Sequence, residues 1–292
     1  MTDAPAAPPL PTLSAAAAAA LDQELLALFP LASLMELAGL AVAQAVHDAH
    51  SPCRVLVVAG PGNNGGDALV AARHLRAFGF APTVVVPSLA RPARGGEGAA
   101  LLPQLVAQLR ALDVPVLAEL AELPCPALAA AAALELQRAA ADEPPPPPLL
   151  ASALPFDVAL DGVFGFSFRA DARGGVRPPY DALLAALRVA AAAGVPVVSI
   201  DVPSGWDVDL GDVAPRSRGG GLQPAMVVSL TAPKPCVARC FAGRHYLGGR
   251  FVPPRLAARY GLGGDSCADS AAEGRLPQLP AFPGSAQVVR LR

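Results

Sequence analysis

Apolar positions recur along this chain in two rhythms. Between Leu13 and His47 the spacing is helical: Leu21, Leu25 and Leu28 form one stripe, and Leu34, Leu37, Ala38, Val42 and Val46 form another, with a break near Pro30. That pattern predicts two amphipathic helices packed on a sheet. Val55 to Val58 is a continuous aliphatic run, the signature of a strand buried on both faces. It empties into a glycine-rich loop, a helical pattern starts at Ala68 and covers Leu69 to Phe78, and a strand follows at Thr83 to Val86. This is a βαβ unit. A helix from Ala99 to Leu112 then leads to a short strand at Pro115 to Leu117. Further strands are expected at Asp157 to Leu160, Val195 to Ile200 and Met226 to Leu230, with a helix at Asp181 to Ala192. Regular alternation of this kind predicts an α/β fold with a doubly wound, mostly parallel sheet.

Three stretches depart from the alternation. Residues 1–11 are rich in Ala and Pro and are expected to be disordered. The segment near 119–150 carries an alanine-rich helix and five consecutive prolines, Pro144 to Pro148, and reads as a Pro-rich insertion ending in a stiff, solvated run. A loop-rich tail is expected from about residue 263, so residues 12–292 form one domain.

Composition narrows the function classes. The 53% hydrophobic content is inflated by alanine, Lys234 is the only lysine, and the formal net charge is −2. Such a balance gives no electrostatic footprint for nucleic acid or an anionic membrane. No apolar run reaches the roughly 18 residues of a spanning helix, and Ala15 to Ala20 lacks the basic region of a secretory signal. A cytoplasmic or organellar location, mitochondrion or plastid, is therefore expected. Five scattered cysteines, with Cys236 and Cys240 the only close pair, do not make a zinc set with any histidine and fit a reducing compartment.

The chemistry gathers where strands end. Gly60, Gly62 and Gly65 spell G-x-G-x-x-G after the first strand, a geometry that lets backbone approach an anion at a helix start. The acid that a standard dinucleotide fingerprint wants at the end of the next strand is absent, since that strand ends in Pro87-Ser88. The loop instead carries Asn63, Asn64 and Asp67; Asp67 serves equally well as a site residue or as a helix cap. Asp161, Asp201, Ser204 and Thr231 follow the later strands, and in doubly wound sheets ligands bind beyond those carboxyl ends. This oxygen set suits a hard cation or ribose hydroxyls. Ser204 sits in P-S-G-W and not in a nucleophile elbow, so proton transfer by a carboxylate is the expected chemistry. Gly165-Phe-Ser-Phe168 offers aromatic walls for a ring, or a core alternation of Phe164, Phe166 and Phe168. Arg169 and Asp171 form either a solvated pair or a clamp on phosphate.

Gly60-Pro-Gly-Asn-Asn-Gly-Gly-Asp67, Asp161-Gly-Val-Phe-Gly-Phe-Ser-Phe168, Ser199-Ile-Asp-Val-Pro-Ser-Gly-Trp206 and Leu230-Thr-Ala-Pro-Lys234 together resemble the NAD(P)H-hydrate epimerases. This is the YjeF N-terminal domain family, whose vertebrate members are called apolipoprotein A-I-binding proteins. Leu34-Met-Glu-Leu-Ala-Gly39 and Gly243 to Pro254 extend the likeness over roughly Leu13 to Leu262. The resemblance implies a three-layer αβα sandwich, Rossmann-like, usually a homodimer, that epimerises the C6 hydroxyl of NADHX and NADPHX, the hydrates of NADH and NADPH. It implies substrate contacts at Asn63, Asn64, Gly65, Gly66 and Asp67, at Gly165, Phe166, Ser167, Phe168, Arg169, Ala170 and Asp171, and at Asp201. It also implies one potassium ion per subunit on Asn64, Asp161 and Ser204. Ala68 stands where the family often has Gly, and Arg169-Ala170 where it often has Lys-Gly; a guanidinium keeps the charge but does not release a proton near neutral pH. Asp201 is the first candidate for the acid–base group and Asp171 the second.

Three other readings differ from this one. An oxidoreductase would need the missing ribose acid; a non-catalytic nucleotide- or protein-binding module, such as a lipoprotein partner, is disfavoured in an extracellular role by the lack of a secretory signal, though an intact site is compatible with it as a second function. A kinase-like dehydratase half would need a second domain.

Overall fold

The computed structural model describes residues 10–89, 97–168, 175–263 and 278–292. Two helices open the chain, α1 (Ala15–Leu28) and α2 (Leu31–Ala49), meeting at a bend of 120°. The first parallel unit is β1 (Arg54–Ala59), α3 (Asn63–Ala77) and β2 (Ala81–Val85). Next come α4 (Glu97–Ala111), the two-residue strand β3 (Val116–Leu117) and α5 (Pro126–Ala140). The second half contains β4 (Val158–Gly162), α6 (Tyr180–Ala192), β5 (Val197–Ile200) and β6 (Met226–Leu230). It closes with α7 (Pro235–Cys240), β7 (Arg244–Gly248), α8 (Pro254–Arg259) and β8 (Val288–Arg290).

The strand order is β3-β2-β1-β4-β5-β6-β7-β8, parallel throughout except for β8, which runs antiparallel to β7. Order reverses between β1 and β4, so their carboxyl ends diverge into a crevice. Alternate strand side chains feed two cores, which is why the central strands read as unbroken aliphatic runs. Val55, Val57, Leu160 and Val228 pack with α2, α3 and α4 on one face. Leu56, Val58, Ala159 and Val197 pack with α5 and α6 on the other. The result is a three-layer αβα sandwich, as the resemblance implies.

Several elements differ from their expectation. The helix expected from Ala68 begins five residues earlier, with Gly62 as its N-cap and Gly66 N–H donating to Gly62 O at 3.2 Å. Asn and Gly are weak helix formers, so propensity points the wrong way here and tertiary packing decides. Asp67 is accordingly inside the helix and is not its cap. Helix α1 does not lie on the sheet: Leu21 and Leu25 pack against Leu34, Ala232 and Leu256 above its carboxyl edge. In the 119–150 segment, α5 supplies Leu128 and Ala132 to the second core, while Pro144 to Pro148 are mostly exposed. Strands β7 and β8 were not expected. The second forms inside the tail expected to be loop, because Val288–Arg290 finds the open edge of β7.

No single helix among the described residues is long and apolar enough to cross a membrane.

Candidate active site

The strand order brings the polar strand ends together. A cavity of about 140 Å³ at the carboxyl edge is lined by Asn63, Asn64 and Asp67 of α3, by Gly165, Phe166 and Ser167 after β4, by Asp201 after β5, and by Thr231 and Lys234 after β6. Helix α1 covers it, contributing Asp22 and Leu25. Its start is tied down by Leu13 N–H donating to Pro233 O at 3.0 Å, one residue from Lys234.

Glycine decides how closely α3 approaches the strands. A Cβ on Gly65 would stand 2.1 Å from Gly60 O, and one on Gly60 would stand 1.8 Å from Val163 O. Both would collide with backbone, so both glycines are required by packing. Gly62 has nothing within 4 Å and meets no such demand. The glycine motif therefore mixes a structural pair with one position left open to the crevice.

Asp201 is the anchor of the site. It is buried and has a φ of 66°, the left-handed region that a residue with a Cβ enters only at a cost. Its carboxylate accepts from the Lys234 ammonium, from Phe166 N at 3.1 Å and from Leu230 N at 3.2 Å. Lys234, itself 1% exposed, also donates to Leu230 O at 2.8 Å and lies 5.4 Å from the centroid of the Phe166 ring. Thr231 shares the left-handed conformation, with φ 68°. The backbone is thus bent at the two places where β5 and β6 hand their side chains to the cavity. The ammonium and the two amides fix the orientation of this carboxylate.

Two further carboxyls face this pair. Burial pushes Asp67 well above the usual carboxylate range, and the charges of Asp201 and Asp22 push it further. Burial also raises Asp22; Lys234 opposes the rise and Asp201 adds to it. Neither carboxyl has a hydrogen-bond partner among the described residues.

Below the cavity lies a second polar group. Asp161, expected at a strand end, is inside β4 and fully buried. Its Oδ1 accepts from Ser204 Oγ at 2.5 Å and Val163 N at 3.3 Å, and its Oδ2 from Ser199 Oγ at 2.8 Å and Ser204 N at 2.9 Å. Burial raises this carboxyl while those four donors pull it back. Ser204 Oγ in turn accepts from Phe164 N at 2.9 Å. The Asn64 side chain lies against Gly165, and its Nδ2 is buried without a partner. Asn64, Asp161 and Ser204 thus converge beneath the loop that follows β4.

The aromatic loop divides its labour. Phe164 and Phe168 stack on each other at 4.2 Å between centroids, while Phe166 turns toward Lys234 and the cavity. Ser167 is exposed. Arg169, Ala170 and Asp171 lie outside the described residues. Two charged lining residues had no assigned role in the sequence. Lys234 carried a signal, being the only lysine and placed just after a strand; Asp22 carried a weaker one, sharing with Glu24 the short polar stretch between the stripe residues Leu21 and Leu25.

The sequence pattern described as "YjeF-related protein N-terminus" matches residues 31–236. The chain belongs to this family. A protein of Sclerotinia sclerotiorum named NAD(P)H-hydrate epimerase is 39% identical over 96% of this chain and 94% of its own length. One of Fusarium vanettenii with the same name is also 39% identical, over 96% of this chain and 95% of that one. Among solved structures, yeast ynu0 superposes with a TM-score of 0.68 at 32% identity, covering 97% of this chain and 100% of its own.

Proposed function

We infer that this chain is an isomerase that epimerises the C6 hydroxyl of hydrated NADH and NADPH. The observation that carries the reading is end-to-end similarity to proteins named for that activity, and the cavity supports it chemically. Inverting a carbon that bears a hydroxyl beside a ring nitrogen requires one bond to break and re-form and one proton to move and return. The cavity supplies carboxyls in two environments, one paired with Lys234 and two unpaired among the described residues and raised by burial, a difference that suits like groups to different tasks. Phe166 gives the ring an apolar wall, and Asn63 and Asn64 offer amides to its substituents. Asp201, the first acid–base candidate by sequence, is better suited in this arrangement to a positioning role opposite the ring, since Lys234 and two backbone amides already hold its carboxylate.

The potassium ion belongs to the same reading. The set of Asn64, Asp161 and Ser204 fits it: an amide with an unpaired buried atom, a hydroxyl and one carboxylate. Amide oxygen and nitrogen are interchangeable assignments, so turning Asn64 presents its oxygen at the unpaired position. The set brings a single carboxylate with otherwise neutral oxygens, which favours a monovalent ion over a divalent one. Its charge would offset the buried Asp161 carboxylate and fix the loop that carries Phe166. The homodimer and a cytoplasmic, mitochondrial or plastid home complete the reading.

The test is direct. Incubation with one purified epimer, followed by chiral chromatography, is expected to yield the other; a ratio that moves no faster than without protein would overturn the assignment.

A further inference from the structure

We propose that Asp22 of α1 is a catalytic residue of the site, the carboxyl that gives a proton to the C6 hydroxyl and takes it back. This rests on the epimerase reading above. Helix α1 precedes the residues that the family pattern matches, and it carries none of the motifs that mark the site. It is nevertheless built into the cavity. Ser14 caps it by accepting from Ala17 N at 3.3 Å, Leu13 N is bonded to Pro233 O, and Ala15 N donates to Asp209 Oδ1 at 3.3 Å. Leu21 and Leu25, each 1% exposed, fix its rotation about the axis. Residues one before and three after Asp22 are thereby buried, which turns the carboxyl itself into the cavity.

The other groups there are less suited to the task. Asp201 already accepts from Lys234 and two amides, which tie its carboxylate to the strand ends. Asp67 is buried in the first turns of α3, away from water, and burial raises its carboxyl well above the usual carboxylate range. Asp22 is half-buried, lacks a hydrogen-bond partner among the described residues, and can reach both substrate and water. Its charged neighbours are Lys234 before α7, Asp201 after β5 and Asp67 on α3. On its own helix, Glu24 is occupied by Arg259 and by Tyr260 Oη at 2.8 Å. Burial raises the Asp22 carboxyl, moving it toward the range in which it can both give and accept a proton near neutral pH.

The step balances without any co-reactant. The Asp22 carboxyl protonates the C6 hydroxyl, the C–O bond breaks with its electron pair on oxygen, and water leaves as the ring nitrogen lone pair forms a C=N⁺ bond. Water then adds to the opposite face, a C–O bond forms, the C=N⁺ pair returns to nitrogen, and the released proton goes back to Asp22. The Asp201–Lys234 pair and the Phe166 ring line the same cavity, and the ring offers the transient cation a π face.

Asp22→Asn and Asp22→Glu in the full chain test the proposal, with the unsubstituted protein assayed beside them on one purified epimer. Asp22→Asn is expected to lower kcat by on the order of 100-fold, with KM within about twofold and the melting temperature retained. It should also remove the fall in kcat that the parent shows as pH rises through the Asp22 titration, and Asp22→Glu should recover part of the rate. An active parent with an equally active Asp22→Asn would overturn the proposal, as would a raised KM at unchanged kcat. If Asp22→Asn does not fold, the parent's profile decides, and a kcat without a descending limb overturns it. An inactive parent would instead strike the epimerase reading.

Discussion

At the scale of single residues, the site depends on where a side chain is forbidden as much as on where one is present. Gly65 and Gly62 belong to the same motif but face opposite constraints. Gly65→Ala would drive a methyl into Gly60 O and is expected to cost about 1–3 kcal/mol, the usual penalty for overpacking. Gly62→Ala has open space and an ordinary negative φ of −108°, and should leave the thermal melt unchanged. Equal melting temperatures for the two variants would mean that the tight approach of α3 to β1 and β4 is not real. The motif was visible in the sequence, but this division was not, because it depends on Gly60 being held between Val163 after β4 and Gly65 of α3. The same limit explains Asp201 and Lys234. Each could be seen alone, but their ion pair joins residues 33 apart through the β5–β6 register.

At the scale of elements, most of the sheet was legible because buried parallel strands are written as aliphatic runs. Val55–Val58, Val195–Ile200 and Met226–Leu230 all lie on observed strands to within two residues. Elements held by tertiary contact were less legible. Val288–Arg290 is too short to announce itself, and the start of α3 runs against propensity. Helix α5 was legible as an alanine-rich helix but its partners were not, because alanine hides an amphipathic face. Its buried Glu135 pairs with Arg188 at 3.0 Å on α6 and with Arg216 at 3.0 Å, a contact no periodicity reveals. The sequence also foresaw that strand ends after β1, β4 and β5 would meet, given the right strand order. If a cation joins Asn64, Asp161 and Ser204, it ties those three segments together, and binding stabilises in proportion to the logarithm of its concentration. Potassium should then raise the melting temperature more than lithium at matched ionic strength, and Asp161→Ala should erase the difference. Equal responses of the parent to both salts would reduce the effect to screening.

At the scale of the whole molecule, stability and function draw on the same buried polar groups. His245 in β7 contacts Ser229 Oγ at 2.9 Å, and burial, with Arg292 and Lys234 nearby, lowers it to about 4. Unfolded, the ring titrates near 6.5, so above that pH it has no effect on the folding balance. As pH falls from about 6.5 toward about 4 the unfolded chain takes up the proton first, and stability drops by about 3 kcal/mol before levelling off. The raised carboxyls of Asp67 and Asp161 act in the opposite sense, since protonation favours their buried state as pH falls. The informative quantity is therefore the difference between parent and His245→Gln in denaturant titrations. The parent should lose more stability than the variant over that window, and parallel curves would contradict the assignment.

The fold, the edge cavity and its carboxyls converge on one claim, that the protein inverts a hydrated nicotinamide ring without oxidising or dehydrating it overall. An isomerase must reach the same end point from either side. The decisive measurement starts two reactions, one from each purified epimer of the NADH hydrate, and follows both epimers together with NADH and NAD by chromatography. The account predicts that both reactions converge on one epimer ratio, with total hydrate conserved. Conversion in one direction only, or hydrate lost to NADH or NAD at the enzymatic rate, would contradict it.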